Sequence, residues 1–363
     1  MFKPRFKLEH RPYRTRAGTV RIGGGVYGLA AEIEDPDGWL WTLIRATDGT
    51  RVEQDIVAEV CRAHPAVSDD DVRAGLEQLT TAGHVEDAGA DPPADLTSRE
   101  QERYRRGSRY YSWVDLTPRS SPWEVQQRLK RAKVVVLGVG GTGGSAALAL
   151  AASGIGHLHC VDADVVELSN LNRQILYTED DLGKAKVEAT VARLRRLNSD
   201  IEVTGEQRRI GSQQDIADVI EGCDVLAQCA DQPADIRRWA NLACLTAGIP
   251  WADGGYRGPM LTAGGYQPGV GACWECLREA ESTSPPDTED HERSSPRAAE
   301  NPVTAVTAVI SGQLVAHWVI ALLTRMSLAT PGMVFGLNLA VPGEPVAVRH
   351  PRRADCVACR PAA

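Results

Sequence analysis

The chain has 363 residues, with 48 acidic and 40 basic side chains and a formal net charge of −8. An acidic balance argues against general nucleic-acid binding, which needs a basic surface to displace counterions. The length suggests two domains. Met1–Arg16 is basic but lacks an apolar segment, so no secretory signal is predicted. A reducing, cytoplasmic location follows as the default.

The first ~95 residues predict a small α+β domain of winged-helix shape. Thr19–Ile22 and Val26–Glu32 flank three glycines, as in a hairpin. Arg51–His64 carries apolar residues at helical spacing. Ser68–Ala82 opens with the spacing of a capping box, and Gly83 follows it as a helix stop. A short strand is expected next.

Residues 5–87 resemble the PqqD-like peptide clamps. The resemblance rests on Asp48–Arg51, which opens one helix, and on Ala82–Val85, which ends the other. It implies that residues 1–95 bind a leader peptide by adding it as an edge strand. The residues alone leave open a winged-helix module for dimerisation or DNA binding. Three consecutive acids, Asp69–Asp71, argue against DNA.

Residues 88–98 predict a linker by composition. Arg99–Lys133 then holds ten basic and four acidic residues. This stretch is either a solvated helix that enters the next domain or an arm that reaches towards phosphates. We therefore predict a basic linker or arm over 96–133, followed by a second domain over 134–363.

A glycine-rich loop follows a β-branched strand in this second domain. Lys133–Gly138 leads into Gly138–Gly144 and then into an Ala/Leu-rich helix. Glycines allow a tight turn and let backbone N–H groups approach an anion at the helix N-terminus. A second strand, His157–Val161, ends at Asp162, which is suited to a ribose hydroxyl. The pattern predicts Rossmann-like nucleotide binding.

Two cations near this loop change the expected ligand. Arg173 and Lys186 supply more charge than a dinucleotide needs, and they suit a triphosphate. Asp231 follows a predicted strand, Asp224–Cys229, where an acid can hold Mg²⁺ on phosphates. From the residues alone, Lys186 could also be a solvated helix charge, and Asp164 could cap a turn.

Two long runs without formal charge are not predicted to span a membrane. Val134–Gly156 contains seven glycines and corresponds to the strand, loop and helix just described. Asn301–Thr324 has apolar spacing but includes Gln313 and His317. A membrane span needs about 20 strongly apolar residues.

From about residue 105 to 360, the order and spacing of these motifs resemble the MoeB/ThiF/HesA family of ubiquitin-activating-like adenylyltransferases. The resemblance implies a homodimeric α/β enzyme with a mostly parallel Rossmann-like sheet, a C-terminal antiparallel extension and a zinc site made of four cysteines. It implies adenylation of a protein or peptide carboxylate, with ATP consumed and pyrophosphate released. The implied ATP residues are the loop glycines Gly138, Gly140 and Gly141, the ribose ligand Asp162, the phosphate ligands Asn170, Arg173 and Lys186, the Mg²⁺ ligand Asp231, and Asp164 and Gln174 within the same motif.

The sequence departs from this family in two places. The family's arm motif, Arg-Tyr-x-Arg-Gln, has Ser112 where its second Arg would reach the partner's ATP. Arg106 or Arg109 could replace it. Members that form a thioester carry a Cys before the last helix, but Arg297–Pro302 has none. A thioester step is therefore not expected.

Four of the nine cysteines form two C-x-x-C pairs, Cys273/Cys276 and Cys356/Cys359. Four thiolates suit a closed, tetrahedral structural zinc, and the family resemblance implies that both pairs close one site. The spacing alone leaves open a redox pair or two free pairs. The other five cysteines are expected to be mostly buried thiols. Residues 277–300 are predicted as a crossover loop, either a substrate lid or a disordered connection.

Three functions follow from these observations. The first is ATP-dependent adenylation of a ribosomally made peptide, with its C-terminus the expected carboxylate, in peptide natural-product biosynthesis; the pairing of clamp and catalytic domain resembles MccB-type enzymes. The second is adenylation of a ubiquitin-like sulfur carrier, as in MoeB. The third is non-catalytic peptide delivery to a cyclodehydratase. Intact phosphate-site residues favour an enzyme. The expected cofactors are ATP, Mg²⁺ and structural Zn²⁺. The expected partner is a peptide or small protein, and neither nucleic acid nor a membrane is expected as a partner.

Overall fold

A computed structural model describes residues 2–23, 29–91, 93–283, 302–326, 330–343, 345–349 and 351–360. Contacts divide the chain into two compact units. The first runs to Arg128 and the second begins at Leu129, with Met326 grouped with the first. The predicted arm forms two helices, and the predicted domain boundaries stay a prediction.

The first unit contains short strands and amphipathic helices. In chain order they are β1 (Pro4–Phe6), β2 (Tyr13–Arg14), β3 (Val20–Ile22), β4 (Ala31–Ile33), α1 (Trp39–Ala46), α2 (Glu53–Ala63), α3 (Asp69–Thr81), β5 (Val85–Asp87), α4 (Ser98–Val114) and α5 (Glu124–Arg131), the last of which crosses into the second unit.

The predicted hairpin is confirmed as the antiparallel pair β3 and β4. These strands form a three-stranded sheet in the order β2-β3-β4, while β1 pairs with β5. The second hairpin strand begins at Ala31 rather than Val26, and residues 24–28 lie outside the described part. Ile22 on β3, Leu43 on α1 and Ile56 on α2 are fully buried in one apolar cluster, so α2 buries the face that its apolar spacing predicted.

Both ends of α3 match the sequence signals. The Ser68 hydroxyl accepts a hydrogen bond from the Asp71 N–H at 3.2 Å, and the Asp71 carboxylate accepts one from the Ser68 N–H at 3.2 Å. Such a cap stabilises a helix by about 1 kcal/mol. Gly83 has a φ of +77°, and a Cβ there would lie 2.0 Å from the Leu116 carbonyl oxygen. Only glycine fits this helix stop.

A buried polar cluster joins the N-terminal segment of this unit to the end of α4. His10 Nε2–H donates to the Trp113 carbonyl at 2.7 Å, so the neutral His10 ring accepts at Nδ1. His84 Nδ1–H donates to that nitrogen at 3.0 Å. Lys7 Nζ donates to the Asp115 carbonyl at 2.6 Å. The hydrogen bond between the two Nδ1 atoms requires one of them to be unprotonated, so at least one of the two imidazoles must be neutral.

We expect this cluster to make stability depend on pH. Burial lowers the pKa of His10, and it lowers that of His84 to about 4, helped by the charges of His10 and Lys7. The unfolded chain therefore binds more protons, and stability is lost as pH falls from about 6.5 towards 4. The thermal midpoint of the first unit should drop between about pH 7.5 and 5. His84→Gln should flatten that slope, and an unchanged slope would contradict the assignment.

The second unit alternates strands and helices and then continues with antiparallel strands. In chain order its elements are β6 (Lys133–Leu137), α6 (Gly141–Ala152), β7 (His157–Asp162), α7 (Lys186–Leu197), β8 (Glu202–Gln207), α8 (Gln213–Val219), β9 (Val225–Gln228), α9 (Ile236–Ala247), β10 (Trp251–Arg257), β11 (Met260–Tyr266), α10 (Trp274–Thr283), α11 (Ala305–Thr324), β12 (Met333–Asn338) and β13 (Val346–Arg349).

These strands form one eight-stranded sheet in the order β13-β12-β11-β10-β9-β6-β7-β8. The five strands β10-β9-β6-β7-β8 are parallel, and β10 to β13 continue antiparallel. The predicted α/β fold with a C-terminal antiparallel extension is confirmed. In the central strands β6 and β9, Val134–Leu137 and Val225–Ala227 are apolar and buried, as expected of strands that are covered on both faces.

Helix α11 is long and apolar enough to cross a membrane by length and composition, but 61% of its most apolar window is buried in the protein. Small residues let it lie close to α6. A Cβ on Gly312 would lie 2.3 Å from the Thr142 carbonyl oxygen, and the Thr142 and Ser311 hydroxyls are 2.7 Å apart. The helix therefore belongs to the core of the second unit.

Candidate active site

A cavity of about 1240 Å³ runs along the carboxyl ends of the parallel strands. Asp162 stands at the end of β7, the glycine loop follows β6, and Asp231 follows β9. This edge is where open α/β sheets bind ligands. All ten residues expected at the nucleotide site line the cavity, namely Gly138, Gly140, Gly141, Asp162, Asp164, Asn170, Arg173, Gln174, Lys186 and Asp231.

The glycine loop turns sharply and brings α6 against the strand. Gly138 has a φ of +84°, and a Cβ there would lie 2.8 Å from the Ala230 backbone. In the first turn of α6, a Cβ on Gly143 would lie 1.7 Å from the Gly138 carbonyl oxygen. The N-terminus of α6 at Gly141 lines the cavity, where its free N–H groups and dipole favour an anion.

The Asp162 carboxylate is held by the loop that it faces. One oxygen accepts from the Val139 N–H at 2.8 Å, and the other accepts from the Asp164 N–H at 2.9 Å. Each oxygen keeps a second acceptor position, which a ribose hydroxyl can use. Tyr177, which the sequence did not single out, donates from its hydroxyl to the Val139 carbonyl at 2.7 Å and so fixes the loop.

Lys186 is the first residue of α7, yet its side chain is only 7% exposed. Its Nζ donates to the Asp164 carboxylate at 2.9 Å. Lys186 is therefore not a solvent-exposed charge on the surface of the helix. The Asp164 carboxylate pairs with Lys186. The side chain that caps this turn is that of Asp162, which accepts from the Asp164 N–H. A buried lysine held by an exposed carboxylate on the cavity wall provides a cation that is fixed in place before ligand binds.

Arg173 and Gln174 also line the cavity. Arg173 Nη1 donates to the Ser169 carbonyl at 2.8 Å, and Arg173 also donates to the Tyr256 hydroxyl, whose pKa is raised by burial. Gln174 is buried, and its Oε1 has no hydrogen-bond partner among the described residues. An unpartnered buried acceptor costs free energy, so this cavity wall fits a ligand that brings a donor.

Asp231 lies in the loop after β9 and is exposed. It forms no ion pair with the described residues, and its charge is one of the causes that raise the pKa of Tyr256. An unpaired carboxylate on the wall of this cavity fits an Mg²⁺ ligand, because Mg²⁺ prefers carboxylate and phosphate oxygens.

Four further cations that the sequence did not single out line the cavity: Arg208, Arg209, Arg237 and Arg257. With Arg173 and Lys186, six basic residues face three acidic ones on the cavity wall. The excess of positive charge suits an anionic ligand. These residues lie on or after β8 and β10 and on α9, without a local motif, so only the fold brings them together.

The four cysteines of the two C-x-x-C pairs meet in one buried cluster. Cys273 Sγ lies 3.8 Å from those of Cys276 and Cys356, and Cys276 Sγ lies 3.6 Å from that of Cys359. Tetrahedral zinc with Zn–S bonds of about 2.3 Å needs sulfur atoms about 3.8 Å apart. A disulfide needs about 2.05 Å. The cluster therefore fits zinc and not disulfides.

A buried amide supports this cluster. Asn241 on α9 is fully buried, its Nδ2 donates to Cys273 Sγ at 3.9 Å, and its Oδ1 accepts from the Trp274 N–H at 3.2 Å. Such contacts orient metal ligands. Of the remaining cysteines, Cys160 and Cys244 are buried and the other three are half-buried: Cys61, Cys223 and Cys229.

Fold and cavity define a Rossmann-like α/β protein with a cavity suited to a nucleotide and a cluster of four cysteines. The sequence profile of the ThiF family matches residues 115–356, and the chain belongs to this family. It is 35% identical over 172 residues to the sulfur carrier protein ThiS adenylyltransferase of Escherichia coli K12, covering 47% of this chain and 64% of that protein. It is 36% identical over 183 residues to the vegetative protein HesA of Trichormus variabilis, covering 50% of this chain and 65% of that protein.

A further relative is the mouse adenylyltransferase and sulfurtransferase MOCS3, 39% identical over 155 residues, or 42% of this chain and 33% of that protein. The chain thus spans about one to two thirds of these curated relatives. A crystal structure of E. coli MccB has a TM-score of 0.79 at 24% identity over 99% of this chain and 97% of that one. A crystal structure of E. coli MccB with ATP has a TM-score of 0.72 at 24% identity, covering 98% of this chain and 99% of that one. This likeness shows that the fold is shared.

The structure describes the arm segment around Ser112 but little of the segment that lacks a cysteine. Ser112 donates to Glu86 at 3.3 Å, while Arg109 is bound to Glu9 at 2.8 Å. Arg106 is exposed and pairs with no described residue. Of the segment without cysteine, only Pro302 is described, and it lines the cavity. Most of the predicted crossover loop, 284–300, also lies outside the described residues.

Proposed function

We propose that this protein is an ATP-dependent adenylyltransferase that activates the C-terminal carboxylate of a ribosomally made peptide and releases pyrophosphate. The observation that carries the proposal is the single cavity that unites the glycine loop, Asp162, Arg173, Lys186 and Asp231. Membership of the ThiF family and the adenylyltransferase names of its relatives support it.

In the proposed reaction the substrate carboxylate attacks the α-phosphorus of ATP. The bond to the bridging oxygen breaks, and pyrophosphate leaves with that electron pair. No general base is required, because a carboxylate is already ionised at neutral pH. Lys186 and Arg173 offset the charge of the transferring and leaving groups. Mg²⁺ held by Asp231 would neutralise phosphate oxygens when bound.

We propose that no enzyme thioester follows. Cys229 is the only cysteine lining the cavity within the described ranges. Burial raises its pKa to about 12, with a further contribution from Asp253. It is therefore a neutral thiol at physiological pH and a weak nucleophile. The acyl-adenylate would instead react with an external nucleophile.

The first unit supports a peptide as substrate. Strand β4 pairs only with β3 among the described strands and is an edge of its sheet, to which a peptide can add as a further strand. Crystal structures describe MccB with MccA, and one calls MccB a microcin C7 biosynthetic enzyme. We propose that the first unit is a peptide clamp of the PqqD type in a cytoplasmic homodimer that makes a peptide natural product.

A sulfur-carrier substrate is the second candidate, because the sequence relatives include the ThiS adenylyltransferase and MOCS3. ATP–pyrophosphate exchange separates the candidates. Exchange that depends on added peptides with a free C-terminus, and not on a ThiS-like carrier, supports the peptide proposal. Exchange with the carrier alone supports the second. Peptide binding without any exchange would identify a delivery protein.

The arm arginine yields a separate prediction. We propose that Arg106, which is exposed, reaches the ATP of the partner subunit, whereas Arg109 is held by Glu9. Arg106→Ala should lower kcat by at least about 10-fold, and Arg109→Ala by less than about 2-fold. Mixed dimers of Arg106→Ala and Asp231→Ala chains should recover part of the activity, because one site per dimer is complete. No recovery would refute an action across the dimer.

A further inference from the structure

A pair of histidines lies on strand β7, outside the lining of the cavity. His157 and His159 are two residues apart in an extended strand, so their side chains point to the same face of the sheet. The intervening Leu158 is fully buried on the opposite face. Each of the two histidine side chains is 28% exposed. Solvent therefore reaches both imidazoles, and the proposed reaction uses neither.

Polar side chains of the neighbouring strand face this pair. Strand β8 is the last strand of the sheet and runs parallel to β7. The register sets Glu202 beside His157. It also sets Thr204 beside His159, and Glu206 follows two residues later on the same face. We call these five side chains the polar row: Glu202, His157, Thr204, His159 and Glu206.

The two imidazoles converge on one point of the polar row. The Thr204 hydroxyl lies 3.0 Å from His157 Nε2 and 2.8 Å from His159 Nδ1. Because a hydroxyl carries a single proton, it donates to one of these nitrogens and accepts from the other. A metal ion in place of the hydroxyl needs bonds of about 2.0–2.1 Å to both nitrogens. Each nitrogen is less than about 1 Å too far for such a bond, a shift within reach of half-buried side chains.

Carboxylates stand on both sides of the pair, in positions that suit two different roles. The Glu202 carboxylate is 4.0 Å from His157 Nε2, and its side chain is exposed, so it can rotate to supply a third ligand. The Glu206 carboxylate is 3.9 Å from His159 Nε2, the nitrogen that does not face Thr204. An outer carboxylate of this kind keeps the proton on Nε2 and leaves Nδ1 free to bind a metal.

The protonation state of the pair also suits a metal. Burial lowers the pKa of His159, despite the nearby charge of Glu206. This imidazole is therefore neutral at physiological pH, which is the form that binds metal ions.

We infer that the polar row binds one divalent transition-metal ion, of the class of Zn²⁺, Ni²⁺ and Cu²⁺, through His157, His159 and Glu202. Imidazole nitrogens suit these ions, whereas Mg²⁺ prefers oxygen ligands. Because the ligands come from two strands, the ion would hold the edge strand β8 to β7. The site shares no residue with the cysteine cluster or the cavity lining, so the inference does not depend on the proposed reaction.

The test is a calorimetric titration of the full-length protein with Ni²⁺. Zinc is supplied during purification so that the cysteine cluster does not compete for the probe. We expect one Ni²⁺ per chain at the polar row, bound at least about 100-fold more tightly than Mg²⁺. Wild-type protein that binds Ni²⁺ no better than Mg²⁺ would overturn the inference.

Variants of the polar row locate the bound ion. His159→Gln should weaken Ni²⁺ binding by more than about 100-fold, because loss of a ligand costs more than loss of an outer partner. Glu206→Gln should weaken binding by about 10-fold, as expected for an outer partner. Ni²⁺ binding that stays at the wild-type level in both His157→Gln and His159→Gln would place the ion elsewhere and overturn the inference.

Two further variants keep the test decisive. Glu202→Gln removes an exposed charge, so the protein should stay folded, and binding should weaken by at least about 10-fold; unchanged binding would remove Glu202 from the site and overturn the inference as stated. His64→Gln is the matched control, because His64 is a half-buried histidine of the first unit that bonds to the Thr42 hydroxyl at 2.8 Å. Its Ni²⁺ affinity should equal that of the wild type.

Discussion

Asp231→Ala is expected to abolish ATP-dependent turnover while leaving the fold intact. The carboxylate is exposed and unpaired within the described part, so its removal breaks no stabilising contact. It would, however, remove the proposed ligand of Mg²⁺, whose charge offsets that of the phosphates. Losing one such interaction costs about 100- to 1,000-fold in rate. The measurement is ATP–pyrophosphate exchange together with the thermal midpoint.

Arg173→Ala should show the same loss, because its guanidinium lines the same cavity and binds the Tyr256 hydroxyl. Asp180→Ala is the matched control, since Asp180 is exposed and lies outside the cavity lining. Normal turnover by both active-site variants would refute the assignment of the ATP site. A lowered thermal midpoint in Asp231→Ala would mean that the acid has a structural role.

Cys276→Ser is expected to release the metal and destabilise the second unit. Its sulfur is fully buried between those of Cys273 and Cys359, and a serine hydroxyl is a poor zinc ligand. Because binding energy at a structural zinc is also folding energy, the thermal midpoint should fall by more than about 5 °C. Metal analysis should find one zinc per chain in the wild type and much less in the variant.

Cys61→Ser provides the control for this experiment, because Cys61 is half-buried in the first unit and lies outside the cluster. It should keep both the zinc content and the melting behaviour of the second unit. Protein purified without chelators that contains no zinc would refute the metal site, whatever the stability of the variant.

Local signals predicted the local structure of this protein well. The capping pair Ser68 and Asp71 sets the start of α3, and Gly83 sets its end, because each depends on neighbours within a few residues. The strand, glycine loop and helix after Lys133 were predicted for the same reason. Helix α1 was not predicted, since its N-cap, Gly38, gives no side-chain signal. The clamp, the dimer and the lid stay predictions.

The sequence by itself indicated the four cysteines through the spacing of two C-x-x-C pairs, and the ten residues of the expected nucleotide site through their resemblance to the motif of the MoeB/ThiF/HesA family. Only the tertiary structure paired the buried Lys186 ammonium with the exposed Asp164 carboxylate and brought two cysteine pairs, far apart along the chain, to zinc-binding distance. It alone placed Arg237 against Asp253 beside the cavity. Pairings between distant elements depend on sheet order and helix packing, and these are set by the packing of the whole domain rather than by local propensity.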